Sequence, residues 1–206
     1  MTAFARIAAI IALSLALPQQ AAAQVRLETA GKVAVRAVKA LGPQQEAALA
    51  RFGHSHDYYG AFYVSRSGDV AHGHAGASSA AAAHLIARLG CERRARQACV
   101  PHAEIMPRGV NAGPKGRIAN SGTLANVMVD RFRSLRHGRW SAFANTPEGA
   151  WGGASNLGSG AEAKAVALQK CRGAAVRARQ SYPVAMAREM AQRGLFSCRM
   201  TLVLEK

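Results

Sequence analysis

Six of the seven histidines fall between residues 54 and 102: His54, His56, His72, His74, His84 and His102. On a strand, His72-Gly73-His74 would turn both imidazoles to one face, because side chains alternate with a period of two. His54-Ser55-His56-Asp57 precedes the neighbouring strand and could bring two more imidazoles and a carboxylate to the same place. Neutral imidazoles with a carboxylate suit zinc or copper. His54, His56, His72 and His74 are therefore a candidate metal set, weighed against the plainer reading of exposed loop histidines.

Arginine supplies the second chemistry. The chain carries 27 Lys+Arg against 11 Asp+Glu, a formal net charge of +16. Arg93, Arg94 and Arg96 cluster in one place, and Arg131, Arg133, Arg136 and Arg139 run through another. Guanidinium groups pair bidentately with phosphate and carboxylate, so such clusters suit polyanions: lipid phosphates at a membrane surface, anionic envelope polymers, or nucleic acid bound without a specific site. The plainer reading is a solvated basic face. Hydrolytic chemistry has no support, since there is no Gly-x-Ser-x-Gly elbow and no His-Glu-x-x-His helix. Glu104 and Glu162 read as surface carboxylates. Tyr58, Tyr59, Phe62, Trp140, Phe143 and Trp151 read as strand aromatics of a core rather than a stacking face for a ligand.

These residues sit on an element pattern that occurs twice. Copy one runs from Tyr59-Gly60-Ala61-Phe62 through Gly68 and Ser78-Ser79 to Cys91 and Cys99. Copy two runs from Trp140-Ser141-Ala142-Phe143 through Gly149 and Ser159-Gly160 to Cys171 and Cys198. A fixed offset of this kind indicates a duplicated supersecondary unit sharing a core. Each copy predicts a strand, a turn, a returning strand, a serine-capped Ala-rich helix and a closing strand. In copy one the helix is expected to stop at Gly90. The fold class is α+β: two degenerate β-β-α-β repeats forming a pseudo-dimer, with one shared sheet or two facing sheets left open. Copy two holds 26 residues between its cysteines against seven in copy one, and Ala185 to Gln192 has helical spacing.

The expected organisation is a signal peptide (1–23), an N-terminal strand and helix segment (24–57), repeat one (58–106), a linker and helix (107–139) and repeat two (140–206). Arg6, the apolar run from Ile7 to Leu17 and Ala21-Ala22-Ala23 read as a secretory signal. The run is too short for a spanning helix of roughly 20 residues, so no transmembrane segment is expected after cleavage. A periplasmic or secreted chain meets an oxidising compartment. Its four cysteines allow three pairings, and the repeat selects Cys91–Cys99 with Cys171–Cys198. A four-thiolate zinc site is the rival, although no Cys-x-x-Cys spacing occurs.

Trp140-Ser141-Ala142-Phe143-Ala144, Gly149-Ala150-Trp151-Gly152 and Ala161-Glu162-Ala163 before Cys171 resemble the domain-of-unknown-function 4189 family of small exported bacterial proteins. Repeat one is a weaker version of the same pattern. The resemblance implies fold and export, and it supplies no activity and no catalytic residues. Some similar chains carry the label 5-aminolevulinate synthase. That chemistry needs a large pyridoxal-phosphate fold with a Schiff-base lysine, and this chain is too short and has no Gly-rich phosphate loop. The expected function is a non-catalytic binding or envelope-associated module contacting an anionic envelope polymer or another protein. No cofactor is expected unless the histidines hold zinc or copper. The alternatives are that histidine-dependent metal protein, and a protein-interaction or inhibitor module using the long second cysteine loop.

Overall fold

The computed structural model describes residues 26–27, 29–35, 41–54, 58–108, 118–119 and 136–206. The signal-like segment, His56, Arg131, Arg133 and the expected helix starting at Ser121 lie outside these residues. In chain order the elements are β1 (Arg26–Leu27), β2 (Thr29–Val35), α1 (Pro43–His54), β3 (Tyr59–Ser65), β4 (Ala71–Ala77), α2 (Ala80–Ala95), β5 (Cys99–Arg108), β6 (Ile118–Ala119), β7 (Trp140–Asn145), β8 (Trp151–Leu157), α3 (Gly160–Ser181), α4 (Val184–Gln192) and β9 (Arg199–Glu205).

The chain is α+β, and the strands do not share one sheet. Four antiparallel strands order as β2-β5-β3-β4, three as β8-β7-β9, and β1 pairs with β6 in parallel. In the larger sheet β3 is central and every residue of it is buried. Alternation sends Phe62 and Val64 to one face, where Phe52 of α1 covers them together with Ala103 and Ile105. Tyr59, Ala61 and Tyr63 go to the other face, against Ala83, Ile86 and Ala87 of α2. In the smaller sheet Ala142, Ala144 and Ala154 pack against Ala163, Ala167 and Cys171 of α3.

The two sheets repeat each other's irregularities. The β3–β4 pair shifts register between Tyr59 and Ala61, and the β7–β8 pair shifts between Trp140 and Ala142. Against the closing strands, shifts fall between Phe62 and Tyr63 and between Phe143 and Ala144. Both helices begin at an extended serine whose hydroxyl accepts from the third residue on, Ser79 from Ala82 N–H and Ser159 from Glu162 N–H, each at 3.2 Å. Such caps satisfy N–H groups that the helix itself leaves unpaired. Cys91 is bridged to Cys99 and Cys171 to Cys198, each bond tying its helix to the closing strand.

Gly90 does not stop α2. The helix runs on to Ala95, and Gly90 serves packing instead: a Cβ there would meet the ring of His72 on β4 at 2.1 Å. The long cysteine loop of the second half becomes the end of α3 followed by α4. Pro183 separates the two helices, and the residue before it, Tyr182, is extended as a pre-proline residue prefers. Met186 and Met190 of α4 and Leu195 beyond it pack into the core of the first half, beside Ile86. The inserted segment thus covers the other half's core.

Candidate functional site

Arg93 and Arg94 lie in the last turn of α2, where positive charge complements the helix dipole. Arg96 caps the helix in the left-handed conformation, φ 52°. All three are exposed, and among the described residues none of their side chains makes a hydrogen bond or ion pair. Arg136 and Arg139 are also exposed, on the approach to β7 of the other sheet. The described arginines of the expected anion-binding set therefore fall into two groups on different sheets, and the α2 terminus is the denser one.

The histidine set is divided by the sheet. His72 and His74 project towards the α2 side, since the intervening Gly73 faces Phe52 and Phe62. His54 ends α1 on the opposite face, with its Nδ1 2.7 Å from the carbonyl of Ala50. Among the described residues no three His, Cys, Asp or Glu side chains gather as metal ligands. Burial, then the charge of Arg94, lowers the pKa of His72. His74 is lowered to about 4, chiefly by burial, although a hydrogen bond to the Glu148 main chain pulls the other way. Its Nε2 is enclosed without a partner. These two imidazoles are held neutral by packing.

A third cluster went unread in the sequence. Tyr63 on β3, His84 on α2 and Glu104 on β5 form one chain of hydrogen bonds. The Tyr63 hydroxyl lies 3.0 Å from His84 Nδ1, and His84 Nε2 lies 3.1 Å from Glu104 Oε1. An ionised carboxylate only accepts, so Nε2 carries a proton and Glu104 fixes the ring's orientation. Tyr63 stands edge-on to the imidazole, with ring centroids 5.7 Å apart. Burial raises the pKa of Tyr63, the nearby Arg88 opposes this, and Glu104 and Glu92 add to the rise, so the hydroxyl stays neutral. Glu104 is far from a surface carboxylate, with its side chain only 16% exposed.

Tyr63 and His84 of this cluster line a cleft of about 520 Å³ at the junction of the two halves. Leu85 and Arg88 of α2 line it on one side, and Pro147, Arg193 and Leu195 on the other. Three hydrogen bonds fix the walls: Ser78 N–H to Pro147 O (2.8 Å), Asn145 Nδ2 to Ser78 Oγ (2.8 Å) and Glu148 N–H to Leu195 O (3.1 Å). Arg193 pairs with Glu189 at 3.0 Å, whereas the Arg88 side chain is exposed and makes no hydrogen bond or ion pair among the described residues. The positions corresponding to Tyr63 and Glu104 in the second half are Ala144 and Val203, so the polar chain belongs to the first half alone. No local signal in the sequence marks it: the three residues meet only through the pairing of β3 with β5 under α2.

No helix among the described residues is long and apolar enough to cross a membrane. No family model, curated protein or solved structure matches the chain.

Proposed function

We propose that the protein is an exported, non-catalytic binding module that engages an anionic envelope polymer through the arginines at the end of α2. The observation that carries this is the state of Arg93, Arg94 and Arg96: exposed, close in sequence and free of internal ion pairs. Arg96 strengthens it. A side chain with a Cβ in the left-handed region costs roughly 1 kcal/mol, and glycine is the usual residue at such a helix end. Arginine stands there at that cost, in a chain whose net charge is +16.

The same proposal takes the two halves as descendants of one β-β-α-β unit packed as a pseudo-dimer, and keeps the likeness of residues 140–171 to the 4189 family. Matching register shifts, matching serine caps and matching bridges support common descent. Two disulfides suit a periplasmic or secreted location. Within the long second cysteine loop, the seat of the interaction-module alternative, Met186, Met190 and Leu195 are buried whereas Val176 and Val184 are exposed.

The test is retention of the chain from Gln24 onward on immobilised heparin and on lipopolysaccharide across a salt series. Replacing Arg93, Arg94 and Arg96 together by Gln is expected to weaken binding at low salt and flatten its log–log salt dependence by about 2–3. An unchanged slope refutes the assignment to the α2 terminus.

A further inference from the structure

We infer that the cleft between α2 and the Pro147 and Leu195 segments is a binding site for a small amphipathic acid, with its oxyanion head at Arg88 and its apolar body against Leu85, Pro147 and Leu195. The inference is independent of the polyanion reading, because it uses none of the arginines at the end of α2.

Four features point to a ligand of this kind. The volume of about 520 Å³ falls within the 300–1,000 Å³ typical of small-molecule sites. Its lining is divided evenly between alanine, leucine and proline side chains and polar ones, a mixture that can orient an amphiphile. Arg88 brings an unpaired guanidinium to the rim, and that group prefers planar oxyanions. Tyr63 is held by His84, itself held by Glu104, so this lining residue keeps a fixed place. Fixed walls and a fixed polar group reduce the ordering a ligand must impose, and affinity gains accordingly. The exposed surface of the second half offers no equivalent, since Leu168 stands at the helix position corresponding to Arg88.

Decanoate and decyl phosphate are the probes, with decanol and decyltrimethylammonium as uncharged and cationic controls, all followed by isothermal calorimetry on the full disulfide-bonded chain. Decanoate is expected to bind one-to-one with a dissociation constant on the order of 0.1 mM. Comparable binding of decyl phosphate supports a general oxyanion head, and preference for one probe identifies the head group. Arg88→Gln should weaken binding at least tenfold. Ala81→Trp, at an exposed cleft position, should block it by filling the space. Both sites are on the surface, so both variants keep the fold. The triple Gln variant at Arg93, Arg94 and Arg96 should bind decanoate as before, which separates this site from the polyanion surface. Absence of saturable binding, equal binding of decanol or the cation, or an unaltered affinity in Arg88→Gln overturns the inference.

Discussion

The two halves solve the same packing problem with the large and small residues exchanged. In the first half a histidine on the second strand, His72, fits against a glycine of the helix, Gly90. In the second half the strand position in the same register is Gly152, and it presses directly on the helix backbone. A Cβ at Gly152 would lie 2.2 Å from Cys171 N and 2.4 Å from Ala167 O. One residue of the strand–helix contact must lack a side chain, and which one it is differs. The first half gains a polar group between its layers, while the second gains a closer approach of backbone to backbone.

The sharpest way to break this comparison is to add one methyl group to each glycine. Gly152→Ala meets main chain that cannot move without shifting α3, and is expected to cost about 4 kcal/mol or prevent folding. Gly90→Ala meets a side chain that can turn away, and should cost about 2 kcal/mol. His72→Ala should restore part of that loss, a coupling that urea unfolding of the double-mutant cycle would measure. A Gly152→Ala penalty below that of Gly90→Ala would end the comparison.

The covalent ties differ next. The bridges close separations of 8 and 27 residues. In the chain-entropy account these contribute roughly 2.5 and 3.5 kcal/mol respectively. Replacing Cys171 and Cys198 by Ser should therefore lower stability more than replacing Cys91 and Cys99. Because α4 lies inside the longer loop and covers Ile86, the loss should also loosen the first half. Hydrogen exchange at α2 amides in the Cys171 and Cys198 variant tests that coupling.

Acid should act on the first half. Unfolded, His74 titrates near 6.5, and folded near 4. Above pH 6.5 both states are neutral and the site has no pH-dependent effect. Between 6.5 and 4 only the unfolded chain takes up the proton, so stability falls as pH falls, by about 3 kcal/mol in all. His72 and His102, also lowered by burial, act in the same direction. His74→Ala copies Ala154, the residue at this register position of the second half, and should flatten the dependence of urea unfolding between pH 7 and 4.5. An equally steep profile in the variant would remove His74 from this account.

Much of the scaffold was legible because local chemistry agreed with tertiary structure. Ser79 and Ser159 start their helices, Gly68 takes the left-handed turn at φ 83°, and the Ala-Phe pairs sit in the central strands. Gly90 was misread because its cause is not local: the ring that needs its missing Cβ comes from 18 positions away on β4. The arginine cluster was visible as composition. Tyr63, His84 and Glu104 were not, because each alone looks ordinary and only the pairing of β3 with β5 under α2 brings them together. The role of α4 was hidden similarly. Its spacing showed a helix, but nothing near it in the chain showed that this helix covers the other half's core.

The helix ends give the smallest and most selective contrast. α3 terminates by proline chemistry, with Tyr182 extended ahead of Pro183, whereas α2 terminates on Arg96 in the left-handed region at φ 52°. Proline termination strains no side chain, and the arginine at the end of α2 does. Arg96→Gly should therefore raise stability by up to about 1 kcal/mol, seen as a higher urea midpoint with unchanged slope. If the α2 terminus is the polyanion surface, the same change should lower heparin affinity, so that stability and binding move in opposite directions. A control at Arg93→Gln, within regular helix, should weaken heparin binding without the gain in stability. Should Arg96→Gly stabilise the chain and leave heparin binding intact, the strained arginine would have no part in recognition.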